Sequence, residues 1–284
     1  MSPASPARQE SQARPVGTAL DYTWAITTSA AAGGDHIEEA RGIAERWRVP
    51  FIHRGGQSLP ELRARHNIDY IVTLDRNSLL SVDSPPLRWH PSMALTRLRS
   101  ISTGLADGFL TASGLCTGDR FLDCTLGFGA DAIIASWAVG EGGMVTGLES
   151  SPIIALLTEY GLKREAPGFD SRRRPIAAAA GRIRVVNARA ADFLSAQADA
   201  SWDIVYFDPM FKAANLKSSG MNALRPFADD APFGRETLTE ALRVCAKRVM
   251  LKERRFSPIF TRLEADRIIK TKYSPVSYGA WERR

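Results

Sequence analysis

Downstream of Arg120, short apolar runs alternate with stretches of helical spacing. The runs lie near 120–124, 144–149, 182–187, 203–208 and 247–252, with two further candidates near 267–272 and 276–281. Helical spacing fits 130–139, 152–163 and 235–246. This alternation predicts an α/β fold, a doubly wound, seven-stranded, mostly parallel Rossmann-like sheet covered on both faces. Upstream, Trp24–Thr28, Val49–His53 and Tyr70–Leu74 read as strands, and Asp35–Trp47 and Leu59–His66 as helices. Residues 21–86 therefore predict a small N-terminal α/β unit, with Ser81–Pro86 as its exit loop, and residues 87–284 the large domain. Residues 1–20 are rich in Ser, Pro, Ala and Arg and hold no apolar segment, so they read as a disordered tail and not a secretory signal. At His90-Pro91-Ser92-Met93 a helix opens: proline suits the first turn and puts His90 near the N-cap, with Arg97 two turns on and on the same side.

Composition narrows the classes. A chain of 284 residues with 44% apolar content can fill one large core, or one large and one small. No run of eighteen apolar residues exists, so no membrane-spanning helix is expected. Cys116, Cys124 and Cys245 share no metal-ligand spacing and cannot all pair within the chain, which points to a reducing cytoplasm. The four histidines form no zinc signature, and no metal is expected. The net charge is +6 and uneven: Arg243 to Arg284 hold twelve Lys or Arg against four Asp or Glu. A basic C-terminal third, with Arg172-Arg173-Arg174 in an exposed loop, suits a polyanion such as RNA; the alternative is a solvated face.

The candidate chemistry sits at predicted strand ends, where doubly wound sheets bind ligands. Asp123 ends the first strand of the large domain and can reach an amino group. Gly127 and Gly129 let a ligand approach the backbone. Glu149 ends the second strand and can take both hydroxyls of a ribose. Asp192, after the third, can face an adenine edge. Together they read as a nucleoside-cofactor site. Gly127-Phe128-Gly129-Ala130-Asp131-Ala132 also fits a dinucleotide fingerprint, with Glu149 at the right distance. Against NAD stand Asp123 and Asp131, placed where a pyrophosphate needs bare amides. Asp208-Pro209-Met210-Phe211 follows the fourth strand. An acid beside proline can accept a hydrogen bond from an exocyclic amine, and an aromatic ring can stack on the base that carries it. His90 and Arg97 are substrate-contact candidates, and Lys252, ending the fifth strand, is a candidate phosphate contact.

Phe121-Leu122-Asp123-Cys124-Thr125-Leu126-Gly127-Phe128-Gly129-Ala130-Asp131-Ala132 resembles motif I of class I S-adenosylmethionine-dependent methyltransferases. Leu148-Glu149-Ser150-Ser151-Pro152, Val205-Tyr206-Phe207-Asp208-Pro209-Met210-Phe211, Leu251-Lys252 and Phe256-Ser257-Pro258 resemble the bacterial small-subunit ribosomal RNA guanine-N2 methyltransferase J family and its Gram-positive relatives. The resemblance covers roughly residues 88 to 260. Ala130 and Ser150 stand where the RNA enzymes carry Arg, and Lys212 where they carry Pro. It implies a methyltransferase sheet and S-adenosylmethionine held by Asp123, Thr125, Gly127, Gly129, Asp131, Glu149, Ser150, Asp192 and Asp208. It implies catalysis at Asp208, Pro209 and Phe211 on ribosomal RNA. A methyltransferase acting on a small molecule or protein, and a non-catalytic nucleotide- or RNA-binding module, are the alternatives. Oligomeric state is left open.

Overall fold

A computed structural model of the chain describes residues 22–77, 80–91, 93–165, 174–209, 224–227, 232–270 and 274–284. Their strands form two sheets. The smaller orders β1 (Trp24–Thr28), β2 (Tyr70–Leu74), β3 (Leu80–Val82) and β4 (Leu87–Arg88), with β1 and β2 parallel and the rest antiparallel. Helices α1 (Gly34–Trp47) and α2 (Leu59–His66) connect β1 to β2. Helix α2 opens on a reciprocal cap: the Glu61 N–H donates to the Ser58 hydroxyl and the Ser58 N–H to the Glu61 carboxylate.

Two expectations are corrected in this unit. Val49–His53 is not a strand but a single parallel bridge between Ile26 and Phe51. Pro50 lacks an N–H, and the only ladder bonds there join Ile26 N–H to Pro50 O and Ile52 N–H to Ile26 O. The expected exit loop Ser81–Pro86 is instead part of a hairpin: Ser81 and Val82 belong to β3, residues 83–86 form its turn, and the strand residues Leu80, Val82 and Leu87 are buried.

The larger sheet contains β5 (Arg120–Asp123), β6 (Met144–Glu149), β7 (Ile183–Asn187), β8 (Trp202–Phe207), β9 (Cys245–Arg254), β10 (Arg267–Lys270) and β11 (Val276–Glu282). Their order is β10-β11-β9-β8-β5-β6-β7, with β11 alone antiparallel to its neighbours. The described helices of this part are α3 (Met93–Ser102), α4 (Gly108–Ser113), α5 (Ala130–Val139), α6 (Pro152–Tyr160), α7 (Arg174–Gly181), α8 (Ala190–Ser195), α9 (Arg235–Val244) and α10 (Ile259–Arg262).

Strand periodicity splits the side chains between two cores. Phe121, Ile204, Tyr206 and Met250 join a core with α4 to α7 and with Trp24, Ile26 and Val72 of the smaller sheet. Their neighbours Leu122, Val205, Phe207, Val249 and Leu251 join a second core with α8, α9 and α10. Covering on both faces is what the near-continuous apolar strands require. The reversal of strand order falls between β5 and β8, so ligand-binding loops converge beyond their carboxyl ends. No helix among the described residues is long and apolar enough to cross a membrane.

Candidate active site

The turn after β5 joins the turn after β8. Cys124 N–H donates to Tyr206 O at 2.8 Å, and Asp208 N–H donates to the Thr125 hydroxyl at 2.6 Å. Gly127 and Gly129 both adopt left-handed backbone, with φ of 51° and 79°, which a side chain would strain. The Gly127 N–H donates to Glu149 Oε2 at 3.0 Å, and the Ser151 N–H to Glu149 Oε1 at 2.9 Å. The acid at the end of β6 is thus fixed by the turn after β5 and by the cap of α6. The Trp89 indole N–H donates to Phe128 O at 3.0 Å and braces the same turn.

A cavity opens between these loops. Thr125, Gly127, Glu149, Ser150, Asp208 and Pro209 line it, with Ile154, Leu224, Phe227 and Phe233 as apolar wall. Of the residues singled out from the sequence, these first six meet at one cavity. Met210 and Phe211 lie outside the described residues.

Asp123 and Asp131 are 2% and 7% exposed, and neither lines the cavity. Burial is the main influence on Asp123. It is opposed by the Thr125 N–H and reinforced by Asp131 and Asp208, and the pKa is pushed up to about 8. Asp131 faces inward. It receives the Tyr206 hydroxyl at 2.8 Å, Lys252 Nζ at 3.1 Å, and an Arg97 guanidinium N–H. Burial alone would raise its pKa, but Lys252 and Arg97 outweigh burial and hold it well below the usual carboxylate range.

The same network corrects two further expectations. Arg97 is not presented to a substrate: it grips Asp107 with Nε at 2.8 Å and a second nitrogen at 3.0 Å, besides Asp131. Lys252 is not presented to phosphate: its Nζ bridges Asp131 and Asp208, the latter at 2.7 Å. Each cation is drawn inward by carboxylates that would otherwise be buried unpaired. Asp192 is exposed on α8 and does not line the cavity, whereas Ala190 and Ala191 beside it do. His90 is exposed ahead of α3, which begins at Met93 and not at Pro91.

Position makes Asp208 distinctive. Arg97 and Lys252 are shared among three carboxylates, Asp107, Asp131 and Asp208, and Asp208 is the one of the three that lines the cavity. Burial pushes its carboxyl up to about 6; Lys252 opposes that rise and Asp131 adds to it. Sequence reasoning missed Tyr206, Trp89, Tyr22, Phe227 and Phe233. Tyr206 carried a signal, since it lies on the opposite strand face from Phe207 and its hydroxyl needs a buried partner. The others carried none.

Residues 91–275 match the family described as "Putative SAM-dependent methyltransferase". The Bacillus subtilis protein YpiP is 34% identical over 255 residues, covering 89% of this chain and 97% of its own length. The ribosomal RNA small subunit methyltransferase J of Pseudomonas paraeruginosa is 32% identical over 242 residues, covering 81% and 85%. A SAM-dependent methyltransferase of Neisseria gonorrhoeae shares the fold with a TM-score of 0.63 at 17% identity, over 91% of this chain and 96% of that one. The strand order, the cavity at its reversal point and these matches agree: the chain belongs to the class I SAM-dependent methyltransferases, in the family of ribosomal RNA small subunit methyltransferase J, and its cofactor is S-adenosylmethionine.

Proposed function

We propose that the chain methylates an exocyclic amine of a base in RNA, with guanine N2 of small-subunit ribosomal RNA as the favoured target. The seat of Asp208 carries this reading. Its carboxylate stands at the cavity rim, 28% exposed, with one oxygen on Lys252. Pro209 restricts the backbone of Asp208 to extended conformations. A fixed carboxylate there suits an amine donor.

The cavity fits the cofactor. A Cβ added at Gly127 would meet nothing within 4 Å, so the turn leaves room for a close approach. Glu149 offers a carboxylate to the ribose hydroxyls, Thr125 and Ser150 offer polar wall, and Ile154, Phe227 and Phe233 offer apolar surface to a flat base. When bound, S-adenosylmethionine supplies a methyl group already activated on a sulfonium. The work left to the chain is positional. Asp208 accepts a hydrogen bond from the amine and aims its lone pair, and Phe211 is assigned the stacking role. Asp123 and Asp131 act from behind, by holding the strand end and Lys252.

The ionised form of Asp208 is the acceptor. Transfer should therefore rise as pH passes about 6 and level off above it. Lys252→Met removes the cation that lowers the Asp208 pKa, so it should move this limb to higher pH. An unmoved limb in that variant would assign it to another group.

The edge that holds Asp208 also favours RNA. Beyond Lys252, β9 ends at Arg254 and runs into a turn that carries Arg255 and Phe256. Phe256 is 84% exposed, and the Arg255 guanidinium lies 5.9 Å from its ring centroid. The turn is tied down by Arg255 N–H to Pro275 O and Ser257 N–H to Arg254 O, both at 2.9 Å. An exposed ring beside a cation, on a turn held by backbone bonds, suits a stacked base on single-stranded RNA. Phe256→Ala should weaken RNA binding roughly fivefold to a hundredfold and spare cofactor binding. Filter binding at two salt concentrations checks this, and unchanged affinity would remove Phe256 from the interface.

The direct test supplies labelled S-adenosylmethionine and small-subunit ribosomal RNA, then identifies the labelled nucleoside. N2-methylguanosine is expected. A methyl group on a ribose oxygen or a pyrimidine C5 would sink the amine reading, and label on protein would favour the alternative substrate class.

A further inference from the structure

Tyr22, just ahead of β1 of the smaller sheet, touches two side chains that support the cofactor cavity, Ser151 and Phe227. Its hydroxyl hydrogen-bonds the Ser151 hydroxyl at 2.9 Å. Ser151 caps α6 and gives its own N–H to Glu149, whose other oxygen takes the Gly127 N–H. From Tyr22, then, three contacts lead to the bare turn after β5. The ring of Tyr22 does a second thing. It meets Phe227 edge-on at 5.9 Å, while Tyr70 of β2 packs on the same ring at 4.8 Å. Phe227 is 1% exposed and lines the cavity. Tyr22 thus touches the supports of both walls, the acidic one at Glu149 and the apolar one at Phe227.

The contact does not stand alone. Arg46 of α1 pairs with Glu159 at 3.2 Å, and the Tyr160 hydroxyl donates to Glu39 of α1 at 3.0 Å. Helix α6 is therefore held at its far end by α1 and at its near end by Tyr22. The near end is the one that sets the Glu149 carboxylate.

We propose that Tyr22 is a positioning residue of the cofactor pocket, and that through it the N-terminal sheet is a working part of that pocket. The hydroxyl fixes Ser151 and with it the rotamer of Glu149, and the ring fixes Phe227 against the opposite wall. This rests on the cofactor and the cavity and is independent of the RNA reading. A chain that never methylates RNA would still show it.

The test is calorimetry with S-adenosylhomocysteine on the full chain. Tyr22→Phe keeps the ring and removes the hydroxyl. Affinity should fall about fivefold, the weight of one neutral hydrogen bond, with the thermal midpoint little changed. Tyr22→Ala should cost more, about thirtyfold, because Phe227 also loses its support. In a Ser151→Ala background, Tyr22→Phe should add less than it costs in the wild type, since its side-chain partner is gone and only the backbone of Ile153 remains. In turnover the loss should appear in KM for the cofactor and not in kcat, whereas a partly unfolded protein would lose kcat. Wild-type affinity in Tyr22→Phe overturns the proposal, and so does a full additional loss in the Ser151→Ala background.

Discussion

Replacing Asp208 by Ala is expected to lower methyl transfer by about a hundredfold or more while leaving the fold in place. Both halves of that expectation come from geometry. The bond from Asp208 to the Thr125 hydroxyl is made by the backbone N–H, so Ala retains it. Lys252 keeps Asp131 at 3.1 Å, so no cation is orphaned. What disappears is the acceptor at the cavity rim. Asp208→Asn separates charge from shape, because it keeps one acceptor oxygen, and should fall between Ala and wild type. Single-turnover transfer of a labelled methyl group reads the loss, and calorimetry with S-adenosylhomocysteine confirms an occupied pocket. Wild-type transfer in Asp208→Ala would remove this residue from the chemistry.

The largest expected effect on stability belongs to Arg97→Met. The Arg97 side chain is 19% exposed, and the two carboxylates it grips are 9% and 8% exposed. Breaking a buried pair by removing one partner costs about 3–5 kcal/mol, because a charge is left unpaired in the interior. Asp131 retains Lys252 and Tyr206. The cost therefore falls mainly on Asp107, whose side-chain partners other than Arg97 are the N–H groups of Phe109 and Leu110. Urea unfolding measures the loss. Asp107→Asn in the Arg97→Met background should recover part of it, since the unpaired charge is gone. A loss under about 1 kcal/mol would mean that solvent screens the pair as it does at a surface.

Strands β5, β6 and β8 were readable because each is an apolar run closed by a polar residue at its carboxyl end. That pattern sets Thr125, Gly127, Glu149, Ser150, Asp208 and Pro209 at neighbouring strand ends from the sequence alone. It could not say which carboxylates face the cavity. Asp131 belongs to the first turn of α5, and its inward direction depends on cations 34 and 121 residues away in the chain. Lys252 was expected to end a strand and to contact phosphate; it lies inside β9, which runs on to Arg254, and its Nζ meets Asp131 and Asp208, because a run of residues does not reveal what lies across a sheet. The hairpin at β3 and β4 was hidden for a local reason. Its strands are three and two residues long and flank Pro85 and Pro86, which read as a loop. The contact from Tyr22 to Ser151 spans 129 residues and leaves no periodic trace.

The core that runs from Trp24 and Val72 through Ile133 to Tyr206 is one body of side chains. At its middle a Cβ on Gly161 would fall 2.1 Å from the Trp89 ring, so the segment before α3 and the end of α6 interlock without slack. A shared interior of this kind removes modularity. An N-terminal unit taken from a relative would bring its own surface to this junction, and its partner positions on α6 would have to be exchanged with it. The junction between the two sheets of this chain is therefore a poor seam for a graft.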